Sequence, residues 1–330
     1  MIKRIPAFID MHVHLREPGF EHKETLESGM AAGIAGGYGA LCIMPNTKPV
    51  ADNPDIIRFL IEKTSKNKDI DVYPIAAVTK NLNSTELVHF QELENAGAIA
   101  FSNDGLPILD KNVFKNALMS GKLILSHCED EANEVKWQIE VFKDVQELAN
   151  KGLSKFPKLH FCHISSLEAL SYIRKAKKQG LALTCETAPH YFTFTKNDAT
   201  SNGVYKMNPP LREEADREAV IEALKDGTID VIATDHAPHT VEEKLMPYSA
   251  SPNGIVGLET AFPLALNILT LDEIVEKMCK NPAKILGIEN RREISVDLDE
   301  KWVVKSAEFK SKCKISPYEN MLLKGKVICR

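Results

Sequence analysis

The chain has no Cys-x-x-Cys pair, and its seven cysteines (Cys42, Cys128, Cys162, Cys185, Cys279, Cys313 and Cys329) are odd in number and scattered. That pattern argues against a disulfide framework and predicts reduced thiols in a cytoplasmic protein. Neither sign of charge is in excess: 41 Lys and Arg stand against 46 Asp and Glu, a net charge of −5. Nothing in that balance points to nucleic acid or a membrane surface as a partner. No run approaches the roughly 18 apolar residues of a membrane-spanning helix. The opening stretch MIKRIPAFIDMHVH lacks the apolar core and cleavage site of a secretory leader. Low-complexity segments are absent. What is present is 330 residues, 44% hydrophobic and 26% charged. That suffices to bury a sizeable core, at a length suited to one α/β barrel with a little added.

Short apolar runs alternate with amphipathic ones. The apolar runs fall at 5–15, 38–45, 71–79, 98–104, 122–129, 158–165, 181–187 and 230–237, and are rich in Val, Ile, Leu and Phe. Near-continuous hydrophobicity of this kind marks parallel strands covered on both faces. Helical patterns such as PDIIRFLIEKTSK and SLEALSYIRKAKKQG lie between them, several opening on Ser, Pro or Asp and closing on Gly. Eight β-then-α units predict an α/β fold, a closed (β/α)8 TIM barrel over residues 1–287. A doubly wound open sheet is the alternative, but no Gly-x-Gly-x-x-Gly follows the first run. The segment 188–229 includes a long non-helical loop, TAPHYFTFTKNDATSNGVYKMNPPLR. From 288 to 330 the pattern weakens to short strand-like pieces, WVVK and KGKVIC, which predict a small C-terminal β appendage.

In such a barrel the strand ends converge on one face, so residues far apart in sequence share one site. His12 and His14 end the first strand, Asn46 follows the second, Asp104 ends the fourth, His127 the fifth and His163 the sixth. Asp235 ends the eighth strand, with His239 just beyond. In His-x-His on a strand both imidazoles face one side and can reach one metal. Alone, the motif also suits two histidines tolerated near a surface. Arg16 shares their parity if the strand persists, and offers a fork to a carboxylate. His127 and His163 are ambiguous singly, but they sit at one level on successive strands. Asp104, in SNDG, also reads as a turn residue. Asp235 lies deep at the end of an apolar strand, where an unpaired carboxylate is costly, so a metal or an arginine is expected beside it. Four histidines and two carboxylates suit two zinc ions with a position open for water. Asp235 then acts as a base toward water and as an acid toward a leaving nitrogen. His22, His89, His160, His190 and His236 are expected to be structural or surface groups. Cys128 and Cys162 are expected to point away from the ligands by strand alternation.

The segments FIDMHVHLREPG, GGYGALCIMPNTKP, AIAFSNDG, SHCED, CHIS, CETAPHYF, KMNPPLR and IATDHAPHT, in this order, resemble the motifs of the class I dihydroorotases of the amidohydrolase superfamily. The resemblance covers roughly residues 5–287. It implies a barrel with a binuclear zinc site: one metal on His12 and His14, the second on His127 and His163, Asp104 bridging, and Asp235 as first-metal ligand and proton shuttle. Arg16, Asn46 and His239 match positions that grip the substrate carboxylate, with Arg16 and His239 as a cationic clamp. Asn208 matches a residue near the pyrimidine ring. The implied reaction is the reversible closure of N-carbamoyl-L-aspartate to L-dihydroorotate and water in pyrimidine biosynthesis. Homodimerisation and association with aspartate transcarbamoylase are the partner expectations, alongside the small-molecule substrate.

The sequence departs from the family pattern in particular places. The usual Asp-Asp-Gly reads Asn103-Asp104-Gly105, and the usual His-His after Pro reads His190-Tyr191. The chain starts at the first barrel strand, where family members have a further stretch belonging to a β-sandwich. That sandwich is expected to be absent or reduced to the C-terminal tail. The bridging group is Asp rather than the carboxylated lysine of hydantoinases and allantoinases. Two other readings stand beside the dihydroorotase one. A hydantoinase- or allantoinase-like cyclic amidohydrolase would use the same metals, but Arg16 and Asn46 suit a substrate with a free carboxylate. A non-catalytic dihydroorotase-like subunit that scaffolds aspartate transcarbamoylase is expected to lose metal ligands, and this chain keeps them.

Overall fold

The computed structural model describes residues 1–329. After a short strand β1 (Ile2–Pro6), each of the eight apolar runs supplies one strand of a single parallel sheet. These are β2 (Phe8–Val13), β3 (Tyr38–Ile43), β4 (Asp71–Ala77), β5 (Ala100–Ser102), β6 (Leu123–Ser126), β7 (Lys158–Phe161), β8 (Thr184–Thr187) and β9 (Val231–Ile232). They pair in chain order from β2 to β9, with helices between, as a TIM barrel requires. Every residue of β2 and β3 is buried, which is why these runs show no polar alternation. Inside the barrel Met11, Cys42, Met44, Ile75, Leu125 and Val231 pack on one another.

The barrel closes between its first and last strands through polar contacts. Asp10 accepts from Thr234 Oγ1 at 2.6 Å, from Thr234 N at 3.2 Å and from His12 N at 3.0 Å. His14 N donates to His236 O at 2.8 Å, and Val13 meets His236 in a parallel bridge. Burial pushes the Asp10 carboxyl up to about 7 despite these donors. The seam therefore runs directly beneath the positions where His12, His14 and Asp235 leave their strands.

Local signals place the helices. Asn53 caps the helix Pro54–Thr64, Ser166 caps Leu167–Lys178 by accepting from Ala169 N, and Gly287 takes φ 70° beyond Leu286. The unit between β6 and β7 holds one 20-residue helix, Glu131–Asn150. The segment after β8 is a short helix Pro189–Thr193, two 3-10 turns and the helix Glu214–Asp226.

The expected first strand, 5–15, is in fact two. β1 pairs antiparallel with β10 (Glu293–Val303), which pairs with β11 (Leu322–Cys329), so the small sheet draws on both ends of the chain. Pro6 has no N–H to extend a ladder, and Ala7 and Phe8 pass from Arg292 O to Gly37 O, one sheet to the other. The strand β10 begins well before WVVK. Its stretch SVDLDEK is rich in Asp, Glu and Lys, which disguises a strand buried only in part. No helix among the described residues is long and apolar enough to cross a membrane.

Candidate metal centre

The strand ends bring His12, His14, Asp104, His127, His163 and Asp235 into one buried cluster at the mouth of the barrel. His14 Nε2 lies 3.1 Å from Asp104 Oδ2 and 3.3 Å from Asp235 Oδ1. His12 Nε2 lies 3.5 Å from Asp235 Oδ1 and 3.4 Å from His127 Nε2. His127 Nε2 is 3.4 Å from Asp104 Oδ1, and the His127 and His163 rings are 4.8 Å apart. Two triads, His12–His127–His163 and His12–His14–Asp235, hold their donor atoms within 4.8 Å of one another. Asp104 reaches one member of each, His127 through Oδ1 and His14 through Oδ2.

In three of the four histidines the second ring nitrogen is already committed. His12 Nδ1 meets Glu186 Oε1 at 2.7 Å, His14 Nδ1 meets Asn46 Oδ1 at 2.9 Å, and His127 Nδ1 meets Ser102 Oγ at 3.0 Å. Ser102 spends its own proton on Leu125 O at 2.8 Å, so it accepts from His127. An oxygen acceptor at each Nδ1 favours the Nδ1–H tautomer and leaves the Nε2 lone pair facing the centre.

These atoms fit a metal. Asp104 Oδ2 is buried without a hydrogen-bond donor, and two imidazole nitrogens converge beside two carboxylates. Burial opposes the charged form of both carboxyls, yet His127 and His14 hold Asp104, and His12 and His14 hold Asp235, well below the usual range. Burial likewise opposes charge on His12, but Asp235 and Asp104 prevail and raise it well above an ordinary imidazole. His127 and His163 are each lowered to about 4, first by burial, so both rings are neutral at pH 7. A pocket that forces positive charge onto its own histidine is one that a cation satisfies.

Backbone geometry corrects two expectations. Arg16, His163 and Asp235 take φ of 61°, 35° and 48°, a left-handed region costly for residues with a side chain. Arg16 therefore does not follow the parity of β2, which ends at Val13; a left-handed turn aims it instead. Cys162 does not point away from the ligands. Leu159 and Phe161 face the outer core while His160 and Cys162 face the barrel interior, so alternation persists through Cys162. The Cys162 thiol stands within 4.8 Å of His12 and Glu186 donor atoms, and His163, at φ 35°, is the residue that departs from the alternation.

A cavity of about 210 Å³ opens on the cluster, with Arg16, Asn46 and Asn208 in its wall. Arg16 Nε donates to Pro238 O at 3.1 Å. Asn46 has given its oxygen to His14, which leaves its amide N–H groups as donors. His239 stands behind Arg16, 3.2 Å from its guanidinium. Its Nε2 donates to Asn253 O at 2.8 Å and its Nδ1 accepts from Lys23 Nζ at 3.1 Å. Burial, then Arg16 and Lys23, lower it to about 3. Arg16 lines the cavity, and His239 packs behind it.

Asp104 rather than Asn103 faces the histidines. Asn103 Oδ1 accepts from Val78 N and Thr79 N, and its Nδ2 donates to Thr79 Oγ1 at 2.7 Å. Sequence reasoning missed Glu186, Ser102 and Lys23. Glu186 left one trace, an acid inside the apolar run LALTCET. His160, set aside as structural, joins Glu186 Oε2 at 3.1 Å. His190 is buried with neither ring nitrogen paired.

A parallel barrel whose strand ends gather this histidine–aspartate cluster is the architecture of the amidohydrolases. The Amidohydrolase family model matches residues 4–292. The chain is 42% identical to a dihydroorotase of Acetivibrio thermocellus and 41% identical to one of Syntrophus aciditrophicus, each match covering 98% of this chain and 84% of the relative. It belongs to the amidohydrolase family and, within it, to the dihydroorotases. Among solved structures, an L-hydantoinase (dihydropyrimidinase) from Arthrobacter aurescens superposes with a TM-score of 0.83 at 23% identity, over 98% of this chain and 83% of that one. At that identity the likeness is one of fold.

Proposed function

We propose that this protein is a zinc-dependent dihydroorotase, which interconverts N-carbamoyl-L-aspartate and L-dihydroorotate in pyrimidine biosynthesis. The observation that carries the reading is the joining of the two ligand triads, by Asp104, beside the half-buried Arg16 in one small cavity. His12, His14 and Asp235 would hold one zinc ion, His127 and His163 the other, with Asp104 between them. Bound there, zinc supplies Lewis acidity toward a carbonyl and toward water.

The chain's own residues do the rest. Arg16 receives the substrate carboxylate, with His239 packed behind its guanidinium. From the cavity wall Asn46 would donate to the same carboxylate and Asn208 would meet the ring. In the hydrolytic direction water oxygen bonds to the ring carbonyl carbon, the carbon–nitrogen bond breaks, and Asp235 carries the proton from water to the ring nitrogen. Ring closure runs the same transfers backwards. For the hydrolytic transfer Asp235 starts as a carboxylate, as a base must.

Two zinc ions per chain and turnover of dihydroorotate, abolished by Asp235→Ala, are the expected results on one purified sample. Zinc with turnover of hydantoin or allantoin alone would favour the cyclic amidohydrolase alternative. Neither zinc nor turnover would favour the scaffolding subunit. Six described cysteines are buried and free, which supports a reducing, cytoplasmic location. Homodimerisation and attachment to an aspartate transcarbamoylase belong to the same proposal, and sedimentation of the protein alone and mixed with that enzyme tests them.

A further inference from the structure

Glu131 opens the helix that follows His127 and is 3% exposed. Its carboxylate accepts from Ser165 N at 3.2 Å and Oγ at 2.6 Å, and from Ser166 N at 2.8 Å and Oγ at 2.6 Å. Arg212 completes the set: its NH2 donates to Glu131 Oε2 at 3.2 Å and its Nε to Ser165 Oγ at 2.7 Å. Ser165 and Ser166 lie just past His163, and Arg212 just past Asn208. One buried carboxylate therefore joins the loops after β6, β7 and β8. Neither Glu131 nor Arg212 lines the mouth cavity. The segment with Asn208 is further fastened by Tyr191 OH to Pro209 O at 2.6 Å and by Lys196 N to Arg212 O at 2.7 Å.

We propose that Glu131 and Arg212 are positioning residues with separable duties. Glu131 fixes the spacing of His127 and His163, and Arg212 hangs the Asn208 strap from the same carboxylate. The ring contact of Asn208 rests on the dihydroorotase reading; the loop spacing does not. The asymmetry follows from the donors. Without Arg212, Glu131 still holds the Ser165 and Ser166 groups, so the histidine spacing survives. Without the Glu131 charge, the serines and the guanidinium lose their shared acceptor together, and both duties fail.

The test compares Arg212→Gln and Glu131→Gln with the wild-type full chain. Three readouts serve: zinc retained after a timed chelator challenge, KM and kcat for dihydroorotate, and amide hydrogen exchange over residues 204–212. Arg212→Gln is expected to retain zinc like the wild type, to exchange faster over the strap, and to show KM raised about tenfold with kcat nearly unchanged. Glu131→Gln is expected to lose zinc faster and to raise KM as well. Methylguanidinium should lower the KM of Arg212→Ala, which a general packing defect would not allow. Wild-type exchange and KM in Arg212→Gln, or equal zinc loss in both variants, would overturn the proposal. If Glu131→Gln fails to fold, Glu131→Asp takes its place, with the same zinc expectation. If the wild type turns over neither dihydroorotate nor carbamoyl-aspartate, the dihydroorotase reading fails by itself, and zinc retention and exchange still decide this one.

Discussion

His12 Nδ1 stands 2.7 Å from Glu186 Oε1, with both side chains shut off from solvent. The other Glu186 oxygen holds His160 at 3.1 Å, and His160 meets Thr184 Oγ1 at 2.8 Å. This row leaves Nε2 as the free atom of His12, and His12 is the one residue common to both ligand triads. A carboxylate that sequence inspection passes over thus orients the most shared ligand of the site.

Glu186→Gln keeps the shape but weakens that hold. Zinc affinity, measured by competition with a chromogenic chelator, should fall by about 10- to 100-fold. Wild-type affinity in the variant would show that packing alone orients His12.

Asp235 is assigned the proton transfers. Asp235→Asn should lower kcat by about 100-fold or more in both directions. A variant that loses turnover while keeping its zinc would separate proton transfer from metal binding. Undiminished kcat would move the shuttle to another group.

Asn103 and Asp104 are neighbours with opposite duties. Asn103→Ala should lower stability by about 2 kcal/mol, because two backbone N–H groups and a hydroxyl lose their partner. Its zinc content should not change. Asp104→Ala should lose zinc. Equal zinc loss in the two variants would contradict the division seen in the structure.

Lys244 is 2% exposed and donates to Lys206 O at 3.0 Å and Pro252 O at 3.1 Å. Burial above all lowers its pKa from 10.5 to about 7. Between those values the unfolded chain holds a proton that the folded chain lacks, so folding stability from this site rises with pH. Compared with Lys244→Met, the wild type should gain in Tm as pH is raised through that window. A constant difference would mean that the ammonium stays charged when buried.

The barrel was legible because its strands are buried on both faces, and eight apolar runs of that kind have few other arrangements. The histidine–aspartate cluster was legible because its members fall at strand ends. Three things were not. The break at Pro6 hides inside one apolar run, so β1 and β2 read as a single strand. The left-handed backbone at Arg16, His163 and Asp235 is set by tertiary contacts, and period-two reasoning misplaced Arg16 and Cys162 for that reason. Glu186, Ser102 and Lys23 act on partners far away in sequence; only Glu186 leaves a local mark, an acid inside an apolar run.

The seam between the first and last barrel strands has a consequence for biosynthesis. Asp10 beneath His12 is satisfied by Thr234, and His14 N by His236. The oldest strand of the barrel emerging from a ribosome waits for the youngest before its histidines are braced and Asp235 arrives. A nascent chain therefore carries ligands without a reaction centre for most of its synthesis.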